Sequence, residues 1–222
     1  MGGTKLKFFE QPSIYFIMGT ENTGGRNPLA VLEQALDGGI HIFQLREKGS
    51  SALRGEELKS FAWNCKNLCE RYGVPFLIND DVELACEIEA DGIHIGQEDT
   101  EASVVRKRVG QNRILGVSVH SVAEARLAAH SGADYLGMGP VFGTRSKADA
   151  KEPAGIIGIQ SVKARYPDLP IVGIGGITPE NAGQVWTAGA NGIAVISAIA
   201  QADDVVRQVE RFKASSRPGG MA

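Results

Sequence analysis

The chain has 222 residues, enough for one large α/β domain or two small ones with a substantial core. Hydrophobic residues make up 43% and charged residues 22%, an ordinary globular composition that argues against disorder. Lys and Arg number 23 against 26 Asp and Glu, so the net charge of −3 excludes a general attraction to nucleic acid or to an anionic membrane. Any site for an anion must therefore be local.

Eight strand–helix units follow one another along the chain. Each strand is a short continuous apolar run, which is typical of a parallel sheet buried on both faces. The predicted strands are Ile14–Met18, His41–Leu45, Pro75–Ile78, Gly92–Ile95, Ile114–Ser118, Tyr135–Met138, Ile171–Ile174 and Gly192–Ile196. The predicted helices are Pro28–Asp37, Gly55–Arg71, Val82–Glu89, Ala102–Val109, Val122–His130, Ile156–Ala164, Pro179–Ala188 and Asp203–Phe212.

Such a series predicts a single-domain α/β fold, a (β/α)8 TIM barrel over residues 14–214, with an N-terminal lead-in at 1–13 and a flexible tail at 215–222. A doubly wound open sheet is the alternative, but it usually carries a Gly-rich fingerprint after its first strand, and this sequence has none there. Because barrel active sites lie at the carboxyl ends of the strands, polar residues at those ends are the functional candidates.

The cysteines and the apolar runs indicate a cytoplasmic protein. Cys65, Cys69 and Cys86 all fall in helical patterns without other metal ligands nearby, so we expect reduced thiols. No apolar run reaches the length of a membrane span, and residues 1–9 lack the long apolar core of a signal peptide. We therefore expect no membrane or nucleic-acid partner, and the sequence leaves homo-oligomerisation open.

Two acidic clusters follow the third and fourth strands: Asn79-Asp80-Asp81 and Glu98-Asp99. Carboxylates brought to one edge of a sheet repel each other unless a positive group lies between them. A divalent cation between Asp80 and Asp99 is one explanation, and capping of the following helices is the other. At the mouth of a barrel the cation is favoured, so Asp80 and Asp99 are the candidate Mg²⁺ ligands. Asp81 and Glu98 are expected to cap helices or to support the site.

Cationic and amide side chains follow the second strand. Gln44, Arg46 and Lys48 alternate along an extended segment, so they are expected to point to one side, where they suit a pyrophosphate. A salt bridge to Asp80 is the structural alternative, and both roles can hold at once. His94 shows no metal-ligand spacing and is expected to pack or hydrogen-bond within the fourth strand.

Glycines and hydroxyl groups at the remaining strand ends indicate further phosphate contacts. Gly175-Gly176 and Ile196-Ser197 follow the seventh and eighth strands, where backbone N–H groups commonly hold a phosphate. Tight turns alone are the alternative explanation for the glycines. The other candidates are Ser118 and, in the long loop after the sixth strand, Thr144, Ser146 and Lys147.

Together these motifs resemble the thiamine phosphate synthase family over most of the chain, from about Ile14 to Phe212. The motifs, in chain order, are Gln44-Leu45-Arg46-Glu47-Lys48, Asn79-Asp80, Gly96-Gln97-Glu98-Asp99, Gly116-Val117-Ser118, Gly139-Pro140, Gly175-Gly176-Ile177 and Ile196-Ser197. The resemblance implies a transferase that joins a pyrimidine diphosphate to a thiazole phosphate, with Mg²⁺-assisted dissociative loss of pyrophosphate. The family's Pro-Thr-x-Thr-Lys loop reads Gly143-Thr144-Arg145-Ser146-Lys147 here. Glycine in place of proline at position 143 is expected to loosen this loop.

The resemblance also implies roles for individual residues. Asp80 and Asp99 match the family's magnesium ligands. The implied pyrimidine diphosphate contacts are Gln44, Leu45, Arg46, Glu47, Lys48, Asn79, Ser118 and Lys147, and the catalytic candidates among them are Arg46, Lys48, Ser118 and Lys147. The implied thiazole phosphate contacts are Thr144, Ser146, Gly176, Ile196 and Ser197.

Two alternative functions are compatible with the same barrel. A thiazole tautomerase-like isomerase would bind a thiazole phosphate but need neither the metal pair nor the pyrophosphate clamp. A non-catalytic phosphate-ligand binding protein would be favoured by loss of the acids. The intact Asp80 and Asp99 pair, together with Arg46, Lys48 and Lys147, favours the synthase.

Overall fold

The computed structural model describes residues 6–143 and 155–216. Within these ranges, eight parallel strands close into a barrel in sequential order, each strand pairing with the next and the last with the first. The strands are β1 Ser13–Met18, β2 Ile42–Leu45, β3 Phe76–Asn79, β4 Gly92–Ile95, β5 Ile114–Val119, β6 Tyr135–Met138, β7 Ile171–Ile174 and β8 Gly192–Val195. The predicted (β/α)8 barrel is confirmed.

The helices surround the barrel, and two short 3-10 turns precede and follow β1. The helices are α1 Pro28–Asp37, α2 Gly55–Tyr72, α3 Val82–Glu87, α4 Ala102–Val109, α5 Val122–His130, α6 Gly155–Arg165, α7 Ala182–Thr187, α8 Ser197–Ala200 and α9 Val205–Ala214. The 3-10 turns are Lys7–Phe9 and Thr20–Thr23. Every predicted strand and helix is present, and where the ends differ from the prediction they differ by a few residues.

Two differences from the sequence prediction have a clear local cause. Helix α7 begins at Ala182 rather than at Pro179, because Asn181 accepts a hydrogen bond from Thr178 N (2.8 Å) and donates to Gly176 O (2.9 Å), which holds the preceding residues in a loop. Helix α8 was not predicted. Its four residues are too few to show the 3.6-residue periodicity that marks a helix in a sequence.

Alternate residues of each strand enter two separate cores. Outward-facing side chains such as Phe16, Phe43 and Ile93 pack beneath the helices, and inward-facing ones such as Tyr15 and Leu77 fill the barrel. Burial of each large apolar side chain stabilises the fold by about 1.5–3 kcal/mol. Both faces of the sheet are therefore apolar, which explains the continuous apolar runs in the sequence.

The N-terminal lead-in closes the bottom of the barrel. Phe9, only 6% exposed, contacts the ring of Tyr135 at a centroid distance of 5.4 Å inside the barrel. The lead-in therefore contributes to the barrel core, although the domain boundaries at residues 13 and 214 stay predictions. Of the predicted tail, residues 217–222 lie outside the described residues.

Side-chain caps fix the starts of several helices. Asn27, Asp81, Ser121 and Asp204 each accept a hydrogen bond from a backbone N–H in the first turn of α1, α3, α5 and α9, respectively. Asp81 accepts from Leu84 N at 2.9 Å, so its predicted role as a helix cap is confirmed. This separates Asp81 from its neighbour Asp80, which faces the mouth of the barrel.

Cys65 and Cys69 are buried in α2 and Cys86 is half-buried in α3, and all three are free thiols. Burial raises the pKa of both Cys65 and Cys69 and keeps these thiols protonated. In the described ranges, none of the helices combines the length and apolarity needed to cross a membrane.

Candidate active site

A polar cavity opens at the carboxyl ends of β2 to β7, at the end of the barrel opposite the buried Phe9 ring. Many of the residues predicted from the sequence line it: Arg46, Lys48, Asn79, Asp80, Asp99 and Ser118. Residues from six different strand ends therefore meet in one place. A barrel creates this convergence because all parallel strands end at the same rim.

The carboxyl groups of Asp80 and Asp99 contact each other and share a hydrogen bond. Burial, reinforced by the bond with Asp99, raises the pKa of Asp80 above its ordinary value. Burial also acts to raise the pKa of Asp99, but the bonds from Asp80 and from Gly96 N together hold it below its ordinary value. Two carboxyl groups placed this close are unfavourable as a pair of bare anions, which is typical of a functional site.

Local backbone geometry holds this pair in place. Asp80 adopts a left-handed conformation with φ of 61°, which Asp tolerates better than most residues, and its N–H donates to His94 O at 2.9 Å. Asn79 Nδ2 donates to Asp80 Oδ2 at 2.6 Å, and Gly96 N donates to Asp99 Oδ2 at 2.7 Å. The sharp turn after β3 thus directs the Asp80 carboxylate toward the end of β4.

The pair fits a magnesium ion by the chemistry of its donors. Mg²⁺ binds oxygen ligands and is usually held by one or two carboxylates, with water and substrate phosphates completing its coordination. Asp80 and Asp99 supply two carboxylates, and Asn79 lines the same cavity beside them. Among the described residues, no group of three or more His, Cys, Asp and Glu side chains is placed to hold a metal.

Two cations border the carboxyl pair. Lys48 Nζ lies 2.5 Å from Asp80 Oδ2, which confirms the salt bridge that the sequence offered as the structural alternative. The Lys48 side chain is still 45% exposed, so it remains accessible from the cavity. Arg46 lines the same cavity. A phosphate group entering here would meet positive charge on one side and the carboxyl pair on the other.

Leu45 and Glu47, the sequence neighbours of Arg46 and Lys48, point away from the cavity. Leu45 is 2% exposed and packs in the core beneath the helices. The Glu47 carboxylate accepts from Thr20 N at 2.9 Å, from the Thr20 hydroxyl and from Leu53 N at 3.1 Å. Glu47 thereby joins the loop after β1 to the loop after β2. The side chains of Leu45 and Glu47 are not brought to the cavity, and their substrate contacts remain predictions.

Gln44 points to the inside of the barrel but lies deeper than Arg46 and Lys48, and its substrate contact stays a prediction. Its side chain is 1% exposed inside the barrel, and its Nε2 donates to the Tyr15 hydroxyl at 2.6 Å. The inward side of a strand near its middle is core, and only the end of the strand reaches the mouth. Gln44 is connected to the cavity indirectly, through buried hydroxyl groups that reach His94 and Ser118.

A second cavity lies beside the first, after β7 and β8, and contains Gly176, Ile196 and Ser197 as predicted. Gly175 and Gly176 have φ of 99° and 63°, and an added Cβ would come within 2.6 Å of Pro140 or within 2.8 Å of Phe142. Both positions therefore require glycine for a close backbone approach. Ser197 follows β8 and begins helix α8.

Some predicted residues cannot be placed, and some lining residues were missed. Thr144, Ser146 and Lys147 lie outside the described residues. His94, which was expected only to pack or bond within its strand, lines the first cavity, as do Gln97 and His120. Strand periodicity could have indicated His94, because it shares the inward face of β4 with Gly92. Gln97 stands in the Gly96-Gln97-Glu98-Asp99 motif and His120 directly follows β5, so their positions after strands could have indicated both.

A closed eight-stranded barrel that carries a carboxylate pair, two cations and close-approach glycines at its carboxyl end defines a phosphate-handling TIM-barrel enzyme. Residues 14–199 match the family model described as thiamine monophosphate synthase. The chain belongs to the thiamine monophosphate synthase family, whose curated members are transferases. The resemblance carried by the strand-end motifs is confirmed.

Individual relatives extend this similarity over nearly the whole chain. The chain is 50% identical to a thiamine-phosphate synthase of Lysinibacillus sphaericus over 208 residues, which cover 94% of this chain and 97% of that one. It is 52% identical to a thiamine-phosphate synthase of Geobacillus thermodenitrificans over 201 residues, 90% of each chain. A solved thiamine phosphate pyrophosphorylase from Pyrococcus furiosus superposes with a TM-score of 0.82 at 33% identity and covers 92% of this chain and 95% of that one. These relatives favour the synthase over the isomerase and over a non-catalytic binding protein.

Proposed function

We propose that this protein joins 4-amino-2-methyl-5-hydroxymethylpyrimidine diphosphate to 4-methyl-5-(2-phosphoethyl)thiazole, forming thiamine phosphate and releasing pyrophosphate. The observation that carries the proposal is the contact between the Asp80 and Asp99 carboxyl groups, with Lys48 2.5 Å from Asp80, at the mouth of the barrel. A carboxylate pair beside cations suits a diphosphate that arrives with a divalent metal. The family membership supports the same chemistry.

In this proposal Asp80 and Asp99 hold Mg²⁺, with Asn79 beside them. When bound, the ion supplies positive charge that stabilises the departing pyrophosphate. The chain's own carboxylates give such an ion a fixed place at the end of β3 and β4. Because Lys48 already pairs with Asp80, we propose that the diphosphate takes over part of this interaction when it binds.

Arg46 and Lys48 neutralise the charge that grows on the leaving group as the C–O bond breaks. The amino group of the pyrimidine donates electron density to the carbon that loses pyrophosphate, so a dissociative step is favoured. The thiazole nitrogen then attacks that carbon. No protein nucleophile is needed, and the residues act by positioning and by electrostatic stabilisation. Ser118 and Lys147 complete the proposed pyrimidine diphosphate contacts.

The thiazole phosphate occupies the second cavity in this proposal. The left-handed turn at Gly175 and Gly176 and the segment Ile196–Ser197 border that cavity and suit a phosphate. Thr144 and Ser146 are the proposed further contacts. The two cavities share Ile174 and Gly175, so substrates bound in them would be neighbours. This proximity supports direct transfer between the two substrates.

We also propose a cytoplasmic location and small-molecule substrates as the only ligands of this site. The free thiols of Cys65, Cys69 and Cys86 support a reducing compartment. Homo-oligomerisation stays open.

The proposal is tested by comparing two neighbouring substitutions, Asp80→Asn and Asp81→Asn. Asp80→Asn removes a carboxylate from the pair, and we expect Mg²⁺-dependent thiamine phosphate formation to fall at least ~100-fold, the usual scale for losing a key electrostatic contact. Asp81→Asn preserves the cap of α3, because Asn caps helices as well as Asp does, and activity should stay within about twofold. Turnover is measured by chromatography of thiamine phosphate across a Mg²⁺ titration. Undiminished activity in Asp80→Asn would contradict the metal role.

A further inference from the structure

We propose that Tyr15 and Tyr135 are positioning residues that hold His94 in the tautomer with hydrogen on Nε2, so that Ser118 Oγ accepts from His94 and its own hydrogen is left to donate to a substrate in the cavity that Ser118 lines. The inference deepens the proposed function, on which its substrate part rests. It adds two buried tyrosines far from the rim to the residues that determine how the pyrimidine diphosphate is bound.

A continuous series of hydrogen bonds crosses the inside of the barrel. From Gln44 Nε2 it passes to the Tyr15 hydroxyl over 2.6 Å and from there to the Tyr135 hydroxyl over 2.8 Å. Tyr135 bonds His94 Nδ1 at 2.8 Å, and His94 Nε2 bonds Ser118 Oγ at 2.9 Å. Five residues from five strands therefore connect the closed interior of the barrel with the cavity.

The interior part of this series is shut off from water. Gln44, Tyr15 and Tyr135 are each 1% exposed, and His94 is 8% exposed. Burial raises the pKa of Tyr15 and of Tyr135, so both phenols keep their hydrogens. Each hydroxyl then has one hydrogen to donate.

The direction of donation follows from the amide of Gln44. Because Gln44 donates to Tyr15, the single hydrogen of Tyr15 is left for Tyr135, and the hydrogen of Tyr135 is left for His94. His94 Nδ1 is then an acceptor and Nε2 carries the hydrogen. The opposite direction would leave the Tyr15 hydrogen without an acceptor inside the barrel, which is unfavourable for a buried donor.

The consequence reaches the cavity at Ser118. Its Oγ accepts from His94 Nε2, so its own hydrogen is directed to another acceptor. The Ser118 side chain lines the cavity, and its carbonyl already accepts from Gln97 Nε2 at 2.6 Å. The hydroxyl hydrogen is then left for an acceptor, and a ring nitrogen or a phosphate oxygen of the pyrimidine diphosphate is a suitable one.

The sheet itself is shaped to allow the contact between His94 and Tyr135. In the strand register His94 lies opposite Gly116, and Gly116 lies opposite Tyr135. A Cβ at Gly116 would collide with the Tyr135 ring and would come within 2.5 Å of His94 Nδ1. A Cβ at Gly137 would come within 2.9 Å of His94 Cε1. Gly116 on β5 and Gly137 on β6 therefore leave the space in which the His94 and Tyr135 side chains meet.

The first test determines the His94 tautomer in the protein with its natural sequence. The full chain is labelled with ¹⁵N-histidine, and long-range ¹H–¹⁵N correlation spectra are recorded at neutral pH, with His94 assigned by loss of its signals in His94→Gln. We expect the coupling pattern of the tautomer protonated on Nε2. A pattern showing the hydrogen on Nδ1, or a mixture of both tautomers, would overturn the inference.

The second test uses Tyr135→Phe with Tyr72→Phe as its matched control. Tyr72 lies on α2 near the bottom of the barrel, is 39% exposed and donates to Asp37 at 2.7 Å, so its loss should not affect the site. In Tyr135→Phe we expect His94 to lose its single tautomer and the KM for the pyrimidine diphosphate to rise about tenfold, as for loss of one oriented hydrogen bond. The KM for the thiazole phosphate should stay within about twofold.

Tyr15→Phe gives a second variant in case Tyr135→Phe does not fold. It removes the donor that orients Tyr135, and it should also produce a tautomer mixture at His94. Unchanged His94 spectra in the folded variants, or kinetics equal to those of Tyr72→Phe, would overturn the inference. The spectra do not depend on turnover. A chain with the Nε2 tautomer that fails to make thiamine phosphate would contradict the proposed function and leave the hydrogen-bond direction intact.

Discussion

At the scale of single residues, His41 shows how a titratable side chain can serve the fold rather than the chemistry. It lies directly before β2, on the closed side of the barrel. Its ring Nδ1 accepts from Ile14 N at 3.0 Å, and its backbone N–H donates to Ile14 O at 2.8 Å. Burial, reinforced by repulsion from Lys213, lowers the pKa of His41 from its ordinary value of 6.5. A proton on Nδ1 would also break the bond from Ile14.

This depressed pKa predicts a loss of stability in mild acid. The unfolded chain takes up the His41 proton near pH 6.5 and the folded chain only at lower pH, so the unfolded state binds more protons in that window. The free energy of unfolding should therefore fall as pH drops through 6.5 and level off below the folded pKa. Urea unfolding at several pH values measures this slope. His41→Gln and Lys213→Met should each flatten it, and an unchanged slope in His41→Gln would show that His41 is not responsible.

The predictability of single site residues depends on how far they lie from the strand ends. Asp80, Asp99, Arg46 and Lys48 were predictable because polar residues directly after apolar strands collect at the rim of any parallel barrel. Tyr135 lies in a predicted strand, but its hydroxyl partner Tyr15 lies 120 residues away in sequence. Neither composition nor local periodicity specifies such a contact. It follows only from the closed order of the strands.

At the scale of elements, helix α4 carries two arginines with opposite roles. The Arg106 guanidinium is 7% exposed and donates to Gly132 O, Gly110 O and Arg113 O at 2.6–3.1 Å, as well as to Asp134 Oδ2 at 2.6 Å. It thereby fastens the end of α4 to the segments that lead into β5 and β6. The Arg108 side chain is 58% exposed and pairs only with Glu83 among the contacts described for it.

This pair of arginines gives a matched prediction about stability. Arg106→Met leaves buried carbonyl groups and Asp134 without their donor, and we expect the free energy of unfolding to fall by about 3 kcal/mol. Arg108→Met removes an exposed ion pair and should leave the urea midpoint almost unchanged. Both variants should keep their turnover number, because α4 ends at the closed side of the barrel. Equal midpoints for the two variants would contradict the structural role of Arg106.

The difference between local patterns and tertiary contacts explains which elements could be predicted from the sequence. Long buried runs and amphipathic patterns identified each barrel strand and the helix that follows it, because these elements depend on their own residues. The start of α7 and the existence of α8 depend on tertiary contacts instead. Asn181 holds the loop before α7, and the Arg26 guanidinium donates to Ala200 O and to Ala202 O (2.8 Å) at the end of α8. No local pattern reports contacts between residues so far apart in sequence.

At the scale of the whole molecule, stability and chemistry occupy opposite ends of the barrel. The buried Phe9 ring and the His41 hydrogen bonds lie at the amino ends of the strands. Arg106 fastens loops on that same side. The carboxyl pair and the close-approach glycines lie at the carboxyl ends. This division lets strand-end motifs identify the family from sequence alone, because each motif has a fixed position on the rim. The internal hydrogen bonds from Gln44 to Ser118 join the interior to the site.

The most direct test of the account is the complete reaction with the full chain. The pyrimidine diphosphate and the thiazole phosphate are mixed with the protein and Mg²⁺, and both products are quantified, thiamine phosphate by chromatography and pyrophosphate by a coupled assay. The account predicts thiamine phosphate and pyrophosphate in equal amounts, with formation abolished by chelation of the metal and restored by adding Mg²⁺. Failure to form thiamine phosphate from the two substrates, or undiminished formation in the presence of excess chelator, would contradict it.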